Sequence, residues 1–207
     1  MFVDFDGTIT DIDTFDALVR RFAGDEAWDA IDADLAAGRI TLRTALERQT
    51  GLIGVSLAEA LAYLENAVHV DPTFAPFVAR ARACGVAVIV LSSGLRTIIS
   101  ATLARVGLHD LEVVASDADF APGGWTMRFI DPLAENGTDK ATRIRAARDR
   151  GFTTAFAGDG VSDYAAALVA DRVFAKANRA LERYGSERGF AWTSFASFDE
   201  VERALFD

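Results

Sequence analysis

The stretch that decides the fold is Phe2-Val3-Asp4-Phe5-Asp6-Gly7-Thr8, at the start of the chain. Its apolar residues predict a short buried strand, and the alternation of side chains along a strand directs Asp4 and Asp6 to the same side. Burying two ionisable groups costs free energy unless another group compensates their charge. A divalent cation provides that compensation, because Mg²⁺ prefers a few carboxylate oxygens together with water. Gly7 and Thr8 then turn the chain off the strand end, where backbone N–H groups can face an anion.

Length, composition and charge narrow the class of protein. The chain has 207 residues, which is enough for one large domain or for a core domain with a small insertion. Because 51% of the residues are hydrophobic, it can bury a sizeable hydrophobic core. Its net charge of −10 argues against a nucleic-acid partner, because binding to phosphate backbones requires a basic surface. No apolar run approaches the length of about 18 residues that a membrane span needs, so we expect no membrane partner.

The cysteine content and the start of the sequence bear on the cellular compartment. Cys84 is the one cysteine and cannot form an internal disulfide, which favours a reducing cytoplasm. No signal peptide precedes the first predicted strand, and this also favours a cytoplasmic location. Because Cys84 stands before Gly85 at the end of a helical pattern, we interpret it as a packing residue and not as a nucleophile.

Residues 13–70 carry helical patterns and no strand pattern. Apolar side chains recur at helical spacing in four successive segments. Thr41 and Ser56 are predicted N-cap residues for the last two of these helices. A strand followed directly by four helices is typical of a helical domain inserted into a sheet domain. We therefore expect a helical cap over 13–70 and a core domain made of 1–12 and 71–207.

The remainder of the chain alternates between strand and helix patterns. Predicted strands after the cap cover 86–91, 111–115, 152–157 and 172–175. Helical patterns separate and follow them, and Pro122-Gly123-Gly124 indicates a hairpin turn. This alternation predicts an α/β fold with a doubly wound parallel sheet and an inserted helical cap.

Three predicted strands end in polar clusters, and the carboxyl ends of parallel strands meet at one edge of a sheet. The clusters are 4–8, Ser92-Ser93-Gly94 and 158–163, and Lys140 joins them from the start of a helix. Together they supply carboxylates, hydroxyls, an ammonium and free backbone amides, which fits a divalent cation and a phosphoryl group. The alternative is a set of solvated strand ends, and the joint occurrence of the clusters disfavours it.

The charges of these groups suggest how they would cleave a phosphomonoester. Attack by Asp4 would form an aspartyl-phosphate, and Asp6 would protonate the leaving oxygen and then activate water. Mg²⁺ held by Asp4, Asp6 and Asp159 would reduce the repulsion between carboxylate and phosphate. Asp163 would support this metal site without binding the ion itself.

Lys140, Ser92 and Ser93 are the predicted phosphate ligands. The Lys140 ammonium would bind the transferring oxygens as a point charge. We favour it over Arg143 because the first turn of its helix lies nearer the sheet edge. Ser92 directly follows its strand and would donate a hydrogen bond, assisted by amides at the start of the next helix. Ser93 would contribute through its backbone N–H.

Taken in their order along the chain, the three polar clusters and Lys140 resemble the four motifs of the haloacid dehalogenase superfamily. Residues 4–8 are similar to the first motif, 91–94 to the second, Lys140 to the third and 158–163 to the fourth. The resemblance covers nearly the whole chain and implies a Rossmann-like core. The Asp at position 6 is similar to the residue that the phosphatases and phosphomutases of the superfamily carry at this place, whereas the ATPases of the superfamily carry Thr there.

The helical insertion narrows the resemblance to the phosphoserine phosphatase-like branch. Within this branch the chain is most similar to the 2-hydroxy-3-keto-5-methylthiopentenyl-1-phosphate phosphatases of methionine salvage. The points of likeness are 4–10, 48–52 and 174–176. Members of that type can also carry a cysteine-rich stretch before the lysine, which residues 134–138 lack.

The cap argues against phosphoserine itself as the substrate. Phosphoserine phosphatases place Glu where this chain has Asp13, and an aromatic residue and an Arg where it has Leu42 and Gln49. Gln cannot replace an Arg that binds a carboxylate in bidentate fashion. Arg48, one residue away, either contacts an anion or lies on a solvated helix face.

Three further residues near the cap have alternative interpretations. Asp13 either faces the substrate or simply caps the first helix. His69 lies in the linker between cap and core, where a role near the site competes with a structural one. We interpret Trp28 as part of the packed interior of the cap in preference to a substrate-binding residue.

We therefore expect a Mg²⁺-dependent phosphohydrolase that cleaves a phosphomonoester of a small metabolite. Phosphoserine phosphatase is one alternative, and a phosphomutase or phosphotransferase, which would pass the phosphoryl group to another acceptor, is a second. A non-catalytic protein that binds a phosphorylated metabolite is the alternative from another class. The presence of Asp4 and Asp6 together with Lys140 disfavours it. The sequence leaves the oligomeric state open between monomer and homodimer.

Overall fold

A seven-stranded sheet forms the centre of the structure, a computed structural model in which residues 1–134 and 136–207 are described. Its strands are β1 (Phe2–Val3), β2 (Ile89–Leu95), β3 (Glu112–Asp119), β4 (Thr126–Arg128), β5 (Ala155–Gly158), β6 (Arg172–Lys176) and β7 (Thr193–Phe195). Their order is β4-β3-β2-β1-β5-β6-β7, and every neighbouring pair is parallel except β3 and β4. The predicted doubly wound α/β fold is confirmed, and β1 lies at its centre.

Helices connect the strands and cover the sheet. They are α1 (Thr14–Phe22), α2 (Asp25–Ala36), α3 (Leu42–Leu52), α4 (Leu57–Ala67), α5 (Phe74–Ala83), α6 (Arg96–Ala104), α7 (Lys140–Asp149), α8 (Tyr164–Ala167), α9 (Ala180–Arg188) and α10 (Phe198–Phe206). Helices α1 to α4 match the predicted helices of the cap. Thr41 accepts a hydrogen bond from the backbone N–H of Thr44, and Ser56 forms a reciprocal capping box with Glu59.

The cap meets the core through two chain crossings that lie side by side. Thr10 and Val70 form an antiparallel bridge. The N–H of Asp11 donates to the carbonyl of His69 at 3.1 Å, and the N–H of Asp71 donates to the carbonyl of Ile9 at 2.8 Å. The exact division at residues 13 and 70 stays a prediction.

The cap also packs against the core away from these crossings. Its buried apolar side chains form one cluster with Leu95, Ile98 and Trp125 of the core. The indole N–H of Trp125 donates to the carbonyl of Val55 at 2.7 Å. This packing holds α1 to α3 over the carboxyl ends of the central strands.

Several strand boundaries differ from those predicted. Strand β1 ends at Val3 because the carbonyl of Phe5 accepts the N–H groups of residues 8–10 and turns the chain. Strand β2 begins at residue 89, since the N–H of Val86 instead donates to the carbonyl of Ala81 at 2.9 Å and closes α5. Strand β5 likewise begins later than predicted, at Ala155, because the N–H of Phe152 donates to the carbonyl of Ala147 and closes the end of α7.

Two further features differ from the sequence analysis. Strand β7 was not predicted, because its three residues are too few to show alternation. The packing role assigned to Cys84 is wrong, since this residue caps the end of α5 with its backbone and is exposed. The Pro122-Gly123-Gly124 hairpin is confirmed by the antiparallel pairing of β3 and β4.

Among the described residues, no helix is both long enough and apolar enough to cross a membrane.

Candidate active site

The predicted site residues lie where three chain segments leave the sheet edge. Asp4 follows β1, and its N–H continues the pairing by donating to the carbonyl of Ala157 at 2.8 Å. Asp159 follows β5, and Asp163 ends the short 3-10 turn that comes next. Lys140 is the first residue of α7, whose N-cap is the side chain of Asp139. The fold therefore brings together residues that are far apart in the sequence.

The Lys140 ammonium joins two of the carboxylates. Its Nζ donates to Asp4 Oδ1 and to Asp163 Oδ1, each at 2.7 Å, and reaches Ser162 Oγ at 3.3 Å. The exposed fractions of Lys140, Asp4 and Asp163 are 2%, 4% and 0%. A buried charge of this kind persists only when it is paired and hydrogen-bonded. The contacts fix the position of the ammonium beside the predicted nucleophile.

The second oxygen of Asp163 holds the turn after β5. Its Oδ2 accepts the N–H groups of Asp159 at 2.9 Å and of Gly160 at 3.0 Å. Gly158 is required nearby, because a Cβ at this position would lie 2.5 Å from Asp163 Oδ2. Asp163 thus orients both Lys140 and the backbone that carries Asp159.

The carboxylates of Asp4, Asp159 and Asp163 form a candidate metal centre. Each offers an oxygen, and these oxygens all lie within 4.8 Å of one another. When all three carboxyl groups are ionised, the Lys140 ammonium leaves two negative charges in this largely buried cluster. A divalent cation would balance that charge, and hard oxygen ligands suit Mg²⁺. The residues present therefore fit such an ion.

The ionisation of these groups reflects burial and mutual charge. Burial raises the pKa of Asp4 well above its ordinary value and the charge of Asp163 raises it further, although the Lys140 ammonium opposes the shift. Burial and then the charge of Asp163 raise the pKa of Asp159 to about 6. Burial alone would lower the pKa of Lys140, but the carboxylates of Asp163 and Asp4 raise it above normal. The ammonium therefore stays charged at neutral pH.

Asp6 lies outside this group of three carboxylates and contacts the cap. Its Oδ1 accepts the N–H of Thr14 at 2.8 Å and the Thr14 hydroxyl at 2.7 Å. Burial raises the pKa of Asp6, and these hydrogen bonds from Thr14 partly oppose the shift. A raised pKa suits a carboxyl that must give up a proton and later take one.

The two serines after Leu91 have different surroundings. Ser92 is buried, and its Oγ accepts the N–H of Gly94 at 2.9 Å. Ser93 Oγ is buried without a hydrogen-bond partner in the part of the chain that the structure describes. Both serines line the same cavity as Asp4. An unpaired hydroxyl buried in a residue that lines a cavity has a hydrogen bond left to donate.

A cavity of about 460 Å³ lies between these groups and the cap. Its core side includes Asp4, Asp6, Asp159 and both serines. Its cap side is lined by Asp13, Phe15, Asp16, Trp28, Ile31, Asp32, Leu35, Leu42, Ala45, Leu46 and Gln49. The cavity is large enough for a small phosphorylated molecule and partly apolar, as ligand sites commonly are.

A family model described as haloacid dehalogenase-like hydrolase matches residues 1–168. The chain belongs to this family of hydrolases. The expected superfamily is therefore confirmed by a match that spans all four motifs.

Relatives of this hydrolase cover nearly its whole length. It is 31% identical to Pdp3-interacting factor 1 of Schizosaccharomyces pombe, over 99% of this chain and 93% of the relative. It is also 31% identical to the 2-hydroxy-3-keto-5-methylthiopentenyl-1-phosphate phosphatase of Geobacillus kaustophilus, over 99% and 94%. The polyol phosphate phosphatase PYP1 of Saccharomyces cerevisiae is 27% identical, over 97% and 90%.

A solved structure confirms the fold of the hydrolase. A phospho-aspartyl intermediate analogue of phosphoserine phosphatase has a TM-score of 0.75 over 99% of this chain and 97% of that one. Its sequence identity is 16%, so the likeness extends to the architecture only.

Several candidate residues of the hydrolase lie away from the cavity. Arg48 donates to Asp34 at 3.1 Å and is not among the residues that line the cavity. Arg143 instead binds Asp131 at 2.7 Å. His69 contacts Asp11 at the chain crossings, with 3.2 Å between His69 Nδ1 and Asp11 Oδ2.

Other cap residues of the hydrolase reach the cavity and serve a second purpose as well. Asp13 is the N-cap of α1, where its side chain accepts from the N–H of Asp16, and it also lines the cavity. Trp28 packs in the cap and lines the cavity too. The structural interpretation is therefore confirmed for each residue, and contact with the substrate stays a prediction.

Sequence reasoning missed Thr14 and Arg179. Thr14 follows the N-cap of α1, and its contact with Asp6 depends on how that helix meets the strand end. Arg179 lines the cavity from the loop between β6 and α9. No short-range pattern marked either residue; only the Asp–Thr pair at a helix start offered a partial signal.

Proposed function

We propose that this hydrolase is a phosphatase that releases inorganic phosphate from a phosphomonoester of a small metabolite, with Mg²⁺ as its cofactor. The observation that carries the proposal is the buried Lys140 ammonium, which is held between Asp163 and Asp4, and Asp4 lines the cavity. Phosphoryl transfer depends on positioning and on neutralising negative charge. The names of two relatives, both phosphatases of small phosphorylated compounds, also support it.

Asp4 is the proposed nucleophile. One of its carboxylate oxygens forms a bond to phosphorus as the bond between phosphorus and the ester oxygen breaks. Asp6, in its protonated form, gives its proton to that leaving oxygen. The products of this step are an aspartyl-phosphate on Asp4, the free alcohol and an ionised Asp6.

Water completes the cycle. The ionised Asp6 takes a proton from a water molecule whose oxygen forms a new bond to phosphorus. The bond between phosphorus and the Asp4 oxygen breaks, which restores Asp4 and releases phosphate. Asp6 is again protonated and ready for the next substrate. The contact with Thr14 fixes its carboxyl while leaving Oδ2 available for this exchange.

The phosphoryl oxygens are held by Lys140, Ser92 and Ser93. The ammonium neutralises negative charge, and the serine hydroxyls and the Ser93 N–H donate hydrogen bonds. Mg²⁺ would be held by Asp4 and Asp159 and would supply charge that offsets the repulsion between nucleophile and phosphate. Asp163 keeps Lys140 and the turn at 159–160 in place.

Release of inorganic phosphate from p-nitrophenyl phosphate tests the proposal. We expect turnover that requires Mg²⁺, stops on chelation, and needs no added acceptor, which separates a phosphatase from a phosphotransferase. Asp4→Asn should abolish turnover with unchanged circular dichroism. Asp29→Asn makes the same chemical change on the exposed side of α2 and should leave turnover intact. Undiminished turnover in Asp4→Asn would refute the assignment of the nucleophile.

A further inference from the structure

The cap side of the cavity is lined by carboxyl groups and, among the described residues, by no lysine or arginine. Its ionisable lining residues within 13–70 are Asp13, Asp16 and Asp32, and Asp11 of the core lies beside them on the cavity wall. Within residues 1–134 and 136–207, no lysine or arginine of α1 to α4 lines the cavity. The leaving group of a bound phosphomonoester would lie on this side, because the phosphoryl group lies toward Asp4 and Lys140.

The arginines of the cap are held away from the cavity by other partners. Arg20 donates to Asp25 at 2.6 Å, and its guanidinium lies 3.9 Å from the ring centroid of Trp28. Arg48 donates to Asp34 at 3.1 Å. These contacts use carboxylates that do not line the cavity. Burial raises the pKa of Asp16, and the hydrogen bond from Trp28 and the charge of Arg20 oppose that shift.

Asp16 is fixed in its position on the cavity wall. Its Oδ1 accepts the indole N–H of Trp28 at 2.6 Å, and both residues line the cavity. Asp32 lines the same wall and is exposed, which places it toward solvent. The surrounding wall is mainly apolar and includes Leu42 and Leu46. A carboxylate brought here would meet repulsion from the ionised forms of Asp16 and Asp32, and no described lysine or arginine of the cap lines the cavity to pair with it.

Of the described residues, one cation lines the cavity, and it belongs to the core. Arg179 lies in the loop before α9, and its Nη2 reaches the carbonyl of Asp11 at 3.4 Å. A carboxylate bound in the cap half would need a cation of its own, since bidentate pairing is what offsets its loss of solvation. Gln49, the one side-chain amide on the described cavity wall, supplies no charge.

We propose that the hydrolase selects phosphomonoesters whose leaving group carries no negative charge, such as an uncharged hydroxylated chain, and that Asp16 and Asp32 repel leaving groups with a carboxylate. This inference rests on the proposed phosphatase function and narrows its substrate class. Selectivity through repulsion is an established way to exclude a competing ligand.

The test compares two esters that differ at one group. Glycerol 3-phosphate and 3-phosphoglycerate share a three-carbon skeleton, and the second carries a carboxylate where the first has a hydroxymethyl group. We would measure how strongly each competes with p-nitrophenyl phosphate in the presence of Mg²⁺. The inhibition constant of glycerol 3-phosphate should be lower by about fivefold or more, as repulsion at this range predicts. High salt should reduce the difference.

Two variants assign the effect to the residues named. Asp16→Asn keeps an oxygen for the Trp28 N–H, and Asp32→Asn changes an exposed side chain, so at least the second should fold normally. Each should lower the inhibition constant of 3-phosphoglycerate by about twofold to threefold and leave that of glycerol 3-phosphate unchanged. Glu26→Gln, on the same helix as Asp32 but outside the cavity lining, is the matched control and should change neither constant.

The outcomes separate this inference from the function on which it rests. Absence of Mg²⁺-dependent hydrolysis of p-nitrophenyl phosphate would overturn the proposed function. Normal hydrolysis with no difference between the two esters, whether both compete equally or neither competes, would overturn the charge selection alone. A difference that persists unchanged in both Asn variants would also overturn it.

Discussion

The Nζ of Lys140 lies 2.7 Å from Oδ1 of Asp4, and the two side chains are almost completely buried. Asp163 accepts a second hydrogen bond from the same ammonium. Charges buried in this way are costly to separate, because removal of one partner leaves the others without compensation. The contact therefore links the stability of the core to the chemistry proposed for Asp4.

Replacement of Lys140 tests this link. Lys140→Met should lower the free energy of unfolding by about 3 kcal/mol, because it leaves buried carboxylates unpaired. It should also reduce kcat for p-nitrophenyl phosphate on the order of 10²- to 10³-fold. Denaturant unfolding and steady-state kinetics measure the two effects. Arg143→Gln alters the other cation considered for this role and should retain normal turnover; loss of activity there would reverse the assignment.

Ser93 should show opposite effects on stability and on ligand binding. Ser93→Ala removes a buried hydroxyl that lacks a partner among the described residues, so it should raise the free energy of unfolding by about 1 kcal/mol. The same change should weaken inhibition by inorganic phosphate about fivefold, because one hydrogen bond to the ligand is lost. Ser100→Ala, exposed on α6, is the control. Unchanged phosphate inhibition in Ser93→Ala would show that this hydroxyl does not meet the phosphoryl group.

Gly158 allows the close approach of Asp163 to the end of β5. In Gly158→Ala the new Cβ would lie 2.5 Å from Asp163 Oδ2, so the carboxylate must move and release the N–H groups of residues 159 and 160. We expect a loss in kcat/KM of about 10- to 100-fold and a higher Mg²⁺ requirement, measured by titration of activity. A Cβ at Gly51 has no atom within 4 Å, so Gly51→Ala should be active at the normal level.

Asp13 should make the stability of the protein depend on pH. Burial raises the pKa of Asp13 well above its ordinary value, and the carboxylates of Asp6 and Asp16 raise it further. The folded state therefore binds the proton more tightly than the unfolded state. Stability is greatest below the unfolded pKa and is lost as pH rises through the folded pKa.

Asp13→Asn removes this ionisation and keeps an oxygen that can cap α1. Its melting temperature should exceed that of the wild type at pH 8, and the two should converge near pH 4. Thermal unfolding followed by circular dichroism in the presence of a chelator measures the difference. Asp199→Asn changes an exposed residue in the first turn of α10 and should show no comparable gain. A wild type that is more stable than Asp13→Asn at pH 8 would contradict the argument.

Much of the fold and of the candidate site could be predicted because strong local signals mark them. Burying carboxylates at the ends of apolar strands costs free energy unless another group compensates their charge, so such residues mark a site. The alternation of strands and helices indicates which strand ends meet. The helices of the cap could be predicted equally well from the sequence, since Thr41 and Ser56 act as N-caps in the structure as predicted.

The features that were missed depend on contacts between distant segments. The bond between Asp6 and Thr14 requires α1 to begin beside the end of β1. The early end of β1 follows from the several N–H groups that converge on one carbonyl, that of Phe5. The position of the Asp16 carboxyl on the cavity wall depends on Trp28 from the next helix. None of these contacts has a signature in a short stretch of sequence.

Chemical trapping of the phosphorylated enzyme tests the central claim most directly. Asp6→Asn should accumulate an aspartyl-phosphate when it is mixed with p-nitrophenyl phosphate and Mg²⁺, because an aryl leaving group needs little protonation whereas hydrolysis of the intermediate needs the base. Acid quenching followed by mass spectrometry should find the phosphoryl group on Asp4, and none in Asp4→Asn/Asp6→Asn. A phosphoryl group on another residue, or rapid turnover by Asp6→Asn without any trapped species, would contradict the mechanism.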